Sequence, residues 1–390
     1  MKIAAIEAFP FLAERRPEAT GTAGSPAKLQ LAVSAEASHY RWAENYPVLY
    51  SARFETALIR VTLDSGDVGW GESQAPVAPE VACMIIDRIL KPVLLGSEFE
   101  GRIDEIEALW WHMYSAMRVR GQTGGFMLDA IAGIDLALWD LAGKIAGKPV
   151  SQVIATDSRS SVPAYLSGLP GGSAAGVRPW LDRGFSSVKI FHDSSEQRLF
   201  ANVDAVRAML PAAGGVAVDA LWRLTPQTAS AFAVKLEARD ALWLEAPLPP
   251  ESAPDHAALA RSTRVPIAIG ESYRTVFELQ PFFDSCAMKI VQPDLGRTGL
   301  TEALRIARAA KRGGLQVVPH VSIAMGPQIA AAIHFAAAVR ECAMLEFNPN
   351  VIETANRYLT EPLRMVGAQY RVPDAVGLGV EIVNLSREWR

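Results

Sequence analysis

The chain has 390 residues, half of them hydrophobic and 21% charged, with a net charge of −4. This length suits one large domain with a smaller companion, and the apolar content excludes a disordered chain. The pI of 5.9 excludes a broad basic face for nucleic acid, and no run reaches the roughly 18 apolar residues of a membrane span, so neither nucleic acid nor membrane is an expected partner.

Residues 1–125 read as an α+β capping domain. Met1–Pro10 carries Glu7 and only one positive side chain, Lys2, so it does not read as a signal peptide. Lys2–Phe9 is a predicted strand. Thr56–Leu63 and Val68–Glu72 flank Asp64-Ser65-Gly66-Asp67, a hairpin turn. Helices are predicted near 78–95 and 102–118; Trp110-Trp111 on the second is read as core. Residues 14–53 show little regular pattern and contain Arg15, Arg16, His39, Arg41, Trp42 and Arg53. A loop this long in a compact domain is usually functional, often a lid, and its cations suit a polyhydroxylated anion. Cys83, Cys286 and Cys342 lack CxxC spacing and sit in apolar runs. They are expected to be buried and free, with the cytoplasm as compartment.

Gln122-Thr123-Gly124-Gly125 marks a boundary, and 126–350 is read as a second domain. Phe126–Ile145 has apolar residues at helical spacing, with Asp129, Asp135 and Asp140 between them. Val162–Tyr165 and Ser187–Ile190 are two predicted strands. Six more short apolar runs each end in a polar residue: Asp219, Glu245, Glu271, Asp294, His320 and Glu346. Subtraction of successive numbers gives gaps of 26, 26, 23, 26 and 26. A βα unit takes about 25 to 30 residues, and short runs apolar on both faces suit buried parallel strands. The expected fold class is α/β: a (β/α)-barrel, with polar residues at its C-terminal mouth, where such barrels do chemistry. Residues 351–390 contain a hairpin-like region expected to return to the capping domain.

Asp219, Glu245 and Glu271 end three consecutive predicted strands. Adjacent strands lie about 4.8 Å apart, so three anionic side chains would converge. A single strand-end carboxylate is ordinarily an N-cap for the next helix. Three in register resist joint ionisation without a cation, and a hard divalent ion such as Mg²⁺ suits an all-oxygen ligand set. His320 and Asp294 end neighbouring strands, where the carboxylate can hold one imidazole nitrogen while the other acts as a base.

With Ala130–Asp140 leading into the barrel, Trp243-Leu244-Glu245-Ala246-Pro247 and Ile269-Gly270-Glu271-Ser272, the whole chain resembles the enolase superfamily, in its mandelate racemase-like subgroup. The resemblance implies a modified TIM barrel capped by an N-terminal domain and the C-terminal tail. It implies Mg²⁺ on Asp219, Glu245 and Glu271, and a His320–Asp294 dyad that moves a proton next to a carboxylate. It also implies that Lys189 contacts the substrate carboxylate. Glu346 is implied to be a protonated acid that hydrogen-bonds the same group; a rim ion pair is the other reading of Glu346.

Strand two departs from the family. The second lysine of the common Lys-x-Lys pattern is replaced by Phe191, which alternation puts on the same side as Lys189. His192 can serve as a second acid only if the chain has already turned; otherwise it is a loop or surface histidine. Trp222 is a candidate pocket wall for substrate, or a packing residue. One dependable base favours β-elimination of water from a small-molecule carboxylate by a hydro-lyase; the resemblance implies that this carboxylate is an acid sugar, an aldonate or aldarate, and a homo-oligomer is expected. A racemase or epimerase of a 2-hydroxy acid and a non-catalytic sugar-acid-binding homologue remain as alternatives. If 14–53 is a lid, replacing Arg15, Arg16, His39 and Arg41 together should change the ranking of acid sugars by kcat/KM; an unchanged ranking counts against it.

Overall fold

The computed structural model describes residues 1–14, 40–42, 48–168 and 174–383. The capping sheet has the order β1 (Ile3–Glu14), β4 (Arg53–Leu63), β5 (Val68–Ser73), all antiparallel. Between the first two lies a separate two-stranded ladder, β2 (Tyr40–Trp42) with β3 (Leu49–Ser51). The predicted turn joins β4 to β5: Gly66 takes φ +93° and the Leu63 N–H donates to the Asp67 carbonyl at 2.9 Å. Glycine is needed there because this φ is costly for a residue with a Cβ.

The helix Gly125–Ala146 is apolar nearly all round because it is covered on both sides. One side lies on β5, where a Cβ at Gly71 would stand 1.9 Å from the Gly133 carbonyl oxygen. The other side meets the helix Leu295–Gly313, where Asp135 accepts from Thr301 and the Trp139 indole N–H donates to the Thr301 hydroxyl at 3.0 Å. The three acids noted in this helix are all buried and paired. Asp129 takes Arg274, Asp135 takes Thr301, and Asp140 takes Lys144 with the Trp70 and Leu378 amides. Trp110 is buried, but Trp111 is 37% exposed, contrary to expectation, and lies against the exposed ring of Phe277.

Eight parallel strands follow: β6 (Ser161–Leu166), β7 (Ser187–Phe191), β8 (Gly215–Asp219), β9 (Leu244–Glu245), β10 (Ile267–Ile269), β11 (Ile290–Val291), β12 (Gln316–Val317) and β13 (Leu345–Phe347). Neighbours pair in chain order from β6 to β12, and β13 returns to pair with β6. Between β12 and β13 there is a single bridge, Val317 to Cys342, so the ring is not closed by a continuous ladder. Inside lies a layer made of Tyr165, Ala217, Trp243, Ala268, Ile290 and Val318. Small residues on β8 and β10 make room for the Tyr165–Trp243 edge-to-face pair, centroids 5.1 Å apart.

The hairpin β14 (Met365–Val366) and β15 (Gln369–Arg371) pairs with β6, extending the barrel instead of the capping sheet. The rest of the tail does reach back: Tyr358 packs edge-on to Phe11 and Glu381 pairs with Lys144. Cys342 is buried and Cys83 half-buried, but Cys286 is exposed, because it falls in a turn with φ +54° after the helix Val276–Asp284. Among the described residues no helix is long and apolar enough to cross a membrane.

His334 pins the tail to the barrel. Its Nδ1 accepts from the Ser151 amide at 3.2 Å and its Nε2 donates to the Leu378 carbonyl at 3.1 Å, so the buried ring must be neutral. Burial pushes its pKa down to about 4, against the opposing pull of the Leu378 bond. Because the folded value lies below the unfolded one, this contribution is complete above about pH 6.5 and fades as pH falls towards 4, by roughly 3 kcal/mol in all. Urea midpoints measured from pH 7 to 4.5 should fall accordingly, and His334→Gln should flatten the dependence.

Candidate active site

Strand alternation carries side chains from the apolar inner layer to the polar mouth. Two residues beyond Ala217, Trp243 and Val318 stand Asp219, Glu245 and His320, on the same face of each strand. Asp219 and Glu245 are direct ladder partners, and Asp294 and His320 are joined by a parallel bridge. Glu271 follows Gly270, whose φ is +156°; a Cβ there would stand 2.4 Å from the Gln292 amide nitrogen.

The carboxylates are held by distinct partners. Glu245 Oε1 accepts from Lys189 Nζ at 2.5 Å, while its Oε2 accepts from Trp243 Nε1 at 2.9 Å and Gln292 Nε2 at 2.7 Å. Glu271 accepts from Trp222 Nε1 at 3.1 Å and lies 3.1 Å from His320 Nε2. Asp219 accepts from the Leu221 amide at 2.8 Å. Among the described residues no group of three acids, histidines or cysteines converges closely enough to hold a metal ion. The donor set still fits a hard divalent cation. Burial and the neighbouring charge of Glu245 push the Asp219 carboxyl well above its ordinary range; Lys189 opposes the shift and Glu271 adds to it. These are carboxylate oxygens on adjacent strands, crowded where water is scarce.

His320 Nδ1 lies 2.8 Å from Asp294 Oδ2. Burial alone would lower the imidazole pKa, but Glu271, Glu346 and Asp294 together raise it to about 10. Lys189 is fully buried and bridges Glu245 to Glu346, with Glu346 Oε1 at 3.0 Å. Burial would lower its pKa, but the two carboxylates drive it well above the ordinary lysine value. Glu346 differs from the protonated acid that the resemblance implies. Burial favours its neutral form, but Lys189 and His320 outweigh it and hold the carboxyl down to about 2. It lies 3.0 Å from Lys189 Nζ and accepts from the Val321 amide at 3.1 Å.

Phe191 shares the face of Lys189, with its centroid 5.6 Å from Nζ. His192 points the other way: it is buried, stacks on Phe232 at 5.3 Å and lies against Arg223. It is the first loop residue after β7, buried against the helix Pro226–Glu237 and not at the surface. Trp222 is half-buried and is a partner of Glu271. Arg41 on β2 and Arg53 on β4 are exposed; Arg15, Arg16 and His39 lie outside the described residues. Sequence reasoning passed over Trp243, Gln292 and Gln328. The first two carry a signal, since each stands two residues before a strand-end acid. Gln328, which donates Nε2 to Asp294 Oδ1 at 2.9 Å, carries none.

Residues 173–385 match the family model described as enolase C-terminal domain-like, and 43–155 match the mandelate racemase / muconate lactonizing enzyme N-terminal domain. The chain is 30% identical to D-galactarolactone cycloisomerase of Agrobacterium fabrum, over 85% of this chain and 91% of that one. It is 31% identical to D-xylonate dehydratase of Haloferax volcanii, over 83% and 82%. A crystal structure of an enolase superfamily member from Agrobacterium tumefaciens aligns with TM-score 0.91 at 29% identity, covering 100% of this chain and 98% of that one.

Lys189 is the counter-ion for two buried carboxylates, so removing it leaves both uncompensated. Lys189→Met should lower the unfolding free energy by about 3–5 kcal/mol. Adding Glu346→Gln should restore part of the loss, a coupling that denaturant melts of the two single variants and the double variant would measure.

Proposed function

The chain belongs to the mandelate racemase / muconate lactonizing enzyme family of the enolase superfamily, and on that premise we propose that it is a Mg²⁺-dependent acid-sugar dehydratase. The substrate class is an aldonate or aldarate and the product a 2-keto-3-deoxy acid. Mg²⁺ held by Asp219, Glu245 and Glu271 would supply Lewis-acid stabilisation for negative charge growing on the substrate carboxylate.

The chain's own residues do the rest. The Lys189 ammonium orients the substrate carboxylate, and Glu346 keeps that lysine charged and in place. His320 acts as base in its neutral form, which a cation on Glu271 would favour by offsetting the charge that does most to raise the imidazole pKa; with Asp294 holding Nδ1, Nε2 takes the proton from the carbon next to the carboxylate. The imidazolium so formed is favoured by the surrounding carboxylates. It then gives its proton to the hydroxyl leaving the next carbon, so water departs and the enol tautomerises to the keto acid.

The observation that carries the reading is a single tethered imidazole facing Glu271 and Glu346, with the Phe191 ring beside Lys189 where a second base would stand. Relatives named as D-xylonate, D-galactonate and arabinonate dehydratases support the substrate class. The relative named D-galactarolactone cycloisomerase favours a second reading with the same first step. A ring oxygen would then leave the β-carbon of a lactone, and no water would be lost.

A library of acid sugars and their lactones, assayed with Mg²⁺ by mass and keto-acid formation, separates these readings. Loss of one water indicates the dehydratase; a keto acid of the same mass as the lactone indicates the cycloisomerase. Chelation with EDTA should abolish turnover and added Mg²⁺ restore it. His320→Asn should abolish turnover while Mg²⁺ binding persists. In D₂O, substrate recovered at partial conversion should keep its C2 configuration, because one base serves one face. Rapid inversion at C2 would overturn the single-base reading in favour of a racemase or epimerase.

A further inference from the structure

Glu72, at the end of β5 in the capping sheet, is fully buried yet serves the barrel. Its Oε1 accepts from the Met325 amide at 2.6 Å and the Thr56 hydroxyl at 2.9 Å, and its Oε2 accepts from the Gln328 amide at 3.1 Å. These amides open the helix Pro327–Ala338. Its own N-cap residue, Gly326, has no side chain to satisfy them. Gln328 in turn donates Nε2 to Asp294 Oδ1 at 2.9 Å. The same oxygen accepts from the Gly296 amide at 3.0 Å, and the Gly296 carbonyl accepts from the Gln74 amide at 2.8 Å. Two residues at the end of the capping sheet thus reach both elements that surround Asp294.

With Oδ1 occupied by two donors, Asp294 offers Oδ2 to the imidazole. An ionised carboxylate only accepts, so Nδ1 keeps its proton and Nε2 faces the mouth. The Gln328 amide has one acceptable orientation, since flipping it would set a carbonyl oxygen against the carboxylate. In the orientation it adopts, Gln328 Oε1 is buried without a hydrogen-bond partner, which costs about 1–3 kcal/mol. A Cβ on Gly296 would stand 2.1 Å from that oxygen, so the close approach requires glycine.

We propose that Glu72 and Gln328 are positioning residues, through which the capping sheet sets the orientation of the His320 imidazole by way of Asp294. The catalytic consequence rests on His320 as the base proposed above; the orientation itself does not. The test uses the full chain, ¹⁵N-labelled at its six histidines, with Mg²⁺ supplied. The wild-type protein should show a protected His320 Nδ1–H resonance, assigned by its absence in His320→Asn. Gln328→Glu, which sets carboxylate against carboxylate, and Glu72→Gln, which keeps size and shape, should each lose that resonance to solvent exchange. The His334 and His256 signals should stay in place as reports of an intact fold. An unchanged His320 resonance in either folded variant overturns the proposal. If Gln328→Glu fails to fold, Glu72→Gln decides alone. Failure of the dehydratase reading would appear as absent acid-sugar turnover and would leave this readout intact.

Discussion

Too much negative charge is buried at the mouth of the barrel, and much of the site can be understood as a response to it. Lys189 lies against Glu245 and Glu346, and His320 against Glu271, Asp294 and Glu346, while Asp219 has no ion-pair partner among the described residues. Removing a carboxylate from water costs several kcal/mol unless a charge or several donors replace the water. Glu245 has a cation and two N–H donors, Glu346 has a cation and an amide, and Asp294 has the imidazole and two donors. Asp219 accepts from the Leu221 amide, with no cation paired to it among the described residues, and it is the carboxyl driven upward. The imbalance falls on the strand-end acids where a divalent cation would relieve it.

The same crowding is visible in the backbone. Leu221, Trp222 and Ala246 take φ of +54°, +58° and +43°, immediately after two of these acids. Residues with a Cβ adopt such values at a cost of order 1–3 kcal/mol and do so where the surroundings over-determine them. Here the rim turns are tied to each other. The Trp222 amide donates to the Ala246 carbonyl at 2.7 Å, and the Leu224 amide to the Pro247 carbonyl at 3.0 Å. The strain brings the Trp222 indole to Glu271, so the turn after β8 helps to orient the acid after β10.

The capping sheet and the helix Gly125–Ala146 beneath it are fastened to the barrel by buried polar groups as well as apolar packing. Asp129 pairs with Arg274, Asp135 with Thr301, and Glu72 with the start of the helix after β12. Such contacts are strongly directional, because a small displacement leaves a buried charge or amide without its partner. The glycines of β5 allow the sheet to approach the Gly125–Ala146 helix closely enough for this fit.

Periodicity alone made the barrel legible. Apolar runs ending at Asp219, Glu245, Glu271, Asp294, His320 and Glu346 repeat at about the length of a βα unit, and alternation alone puts Phe191 on the same side as Lys189. The strand-end acids and the histidine were legible for the same reason, since a residue's place on a strand decides which way it points. The partners of those residues were not legible. Gln328 lies 34 positions from Asp294 and Glu72 lies 256 from Gln328, distances that no local pattern spans. The Lys189 and His320 charges beside Glu346, the burial of His192 against Phe232 and the attachment of the 365–371 hairpin to β6 were likewise decided in three dimensions. The sequence by itself determined which side chains reach the mouth, because strand geometry is local. Only the tertiary structure decided their charge states and tethers, because these depend on burial and on neighbours drawn from distant parts of the chain.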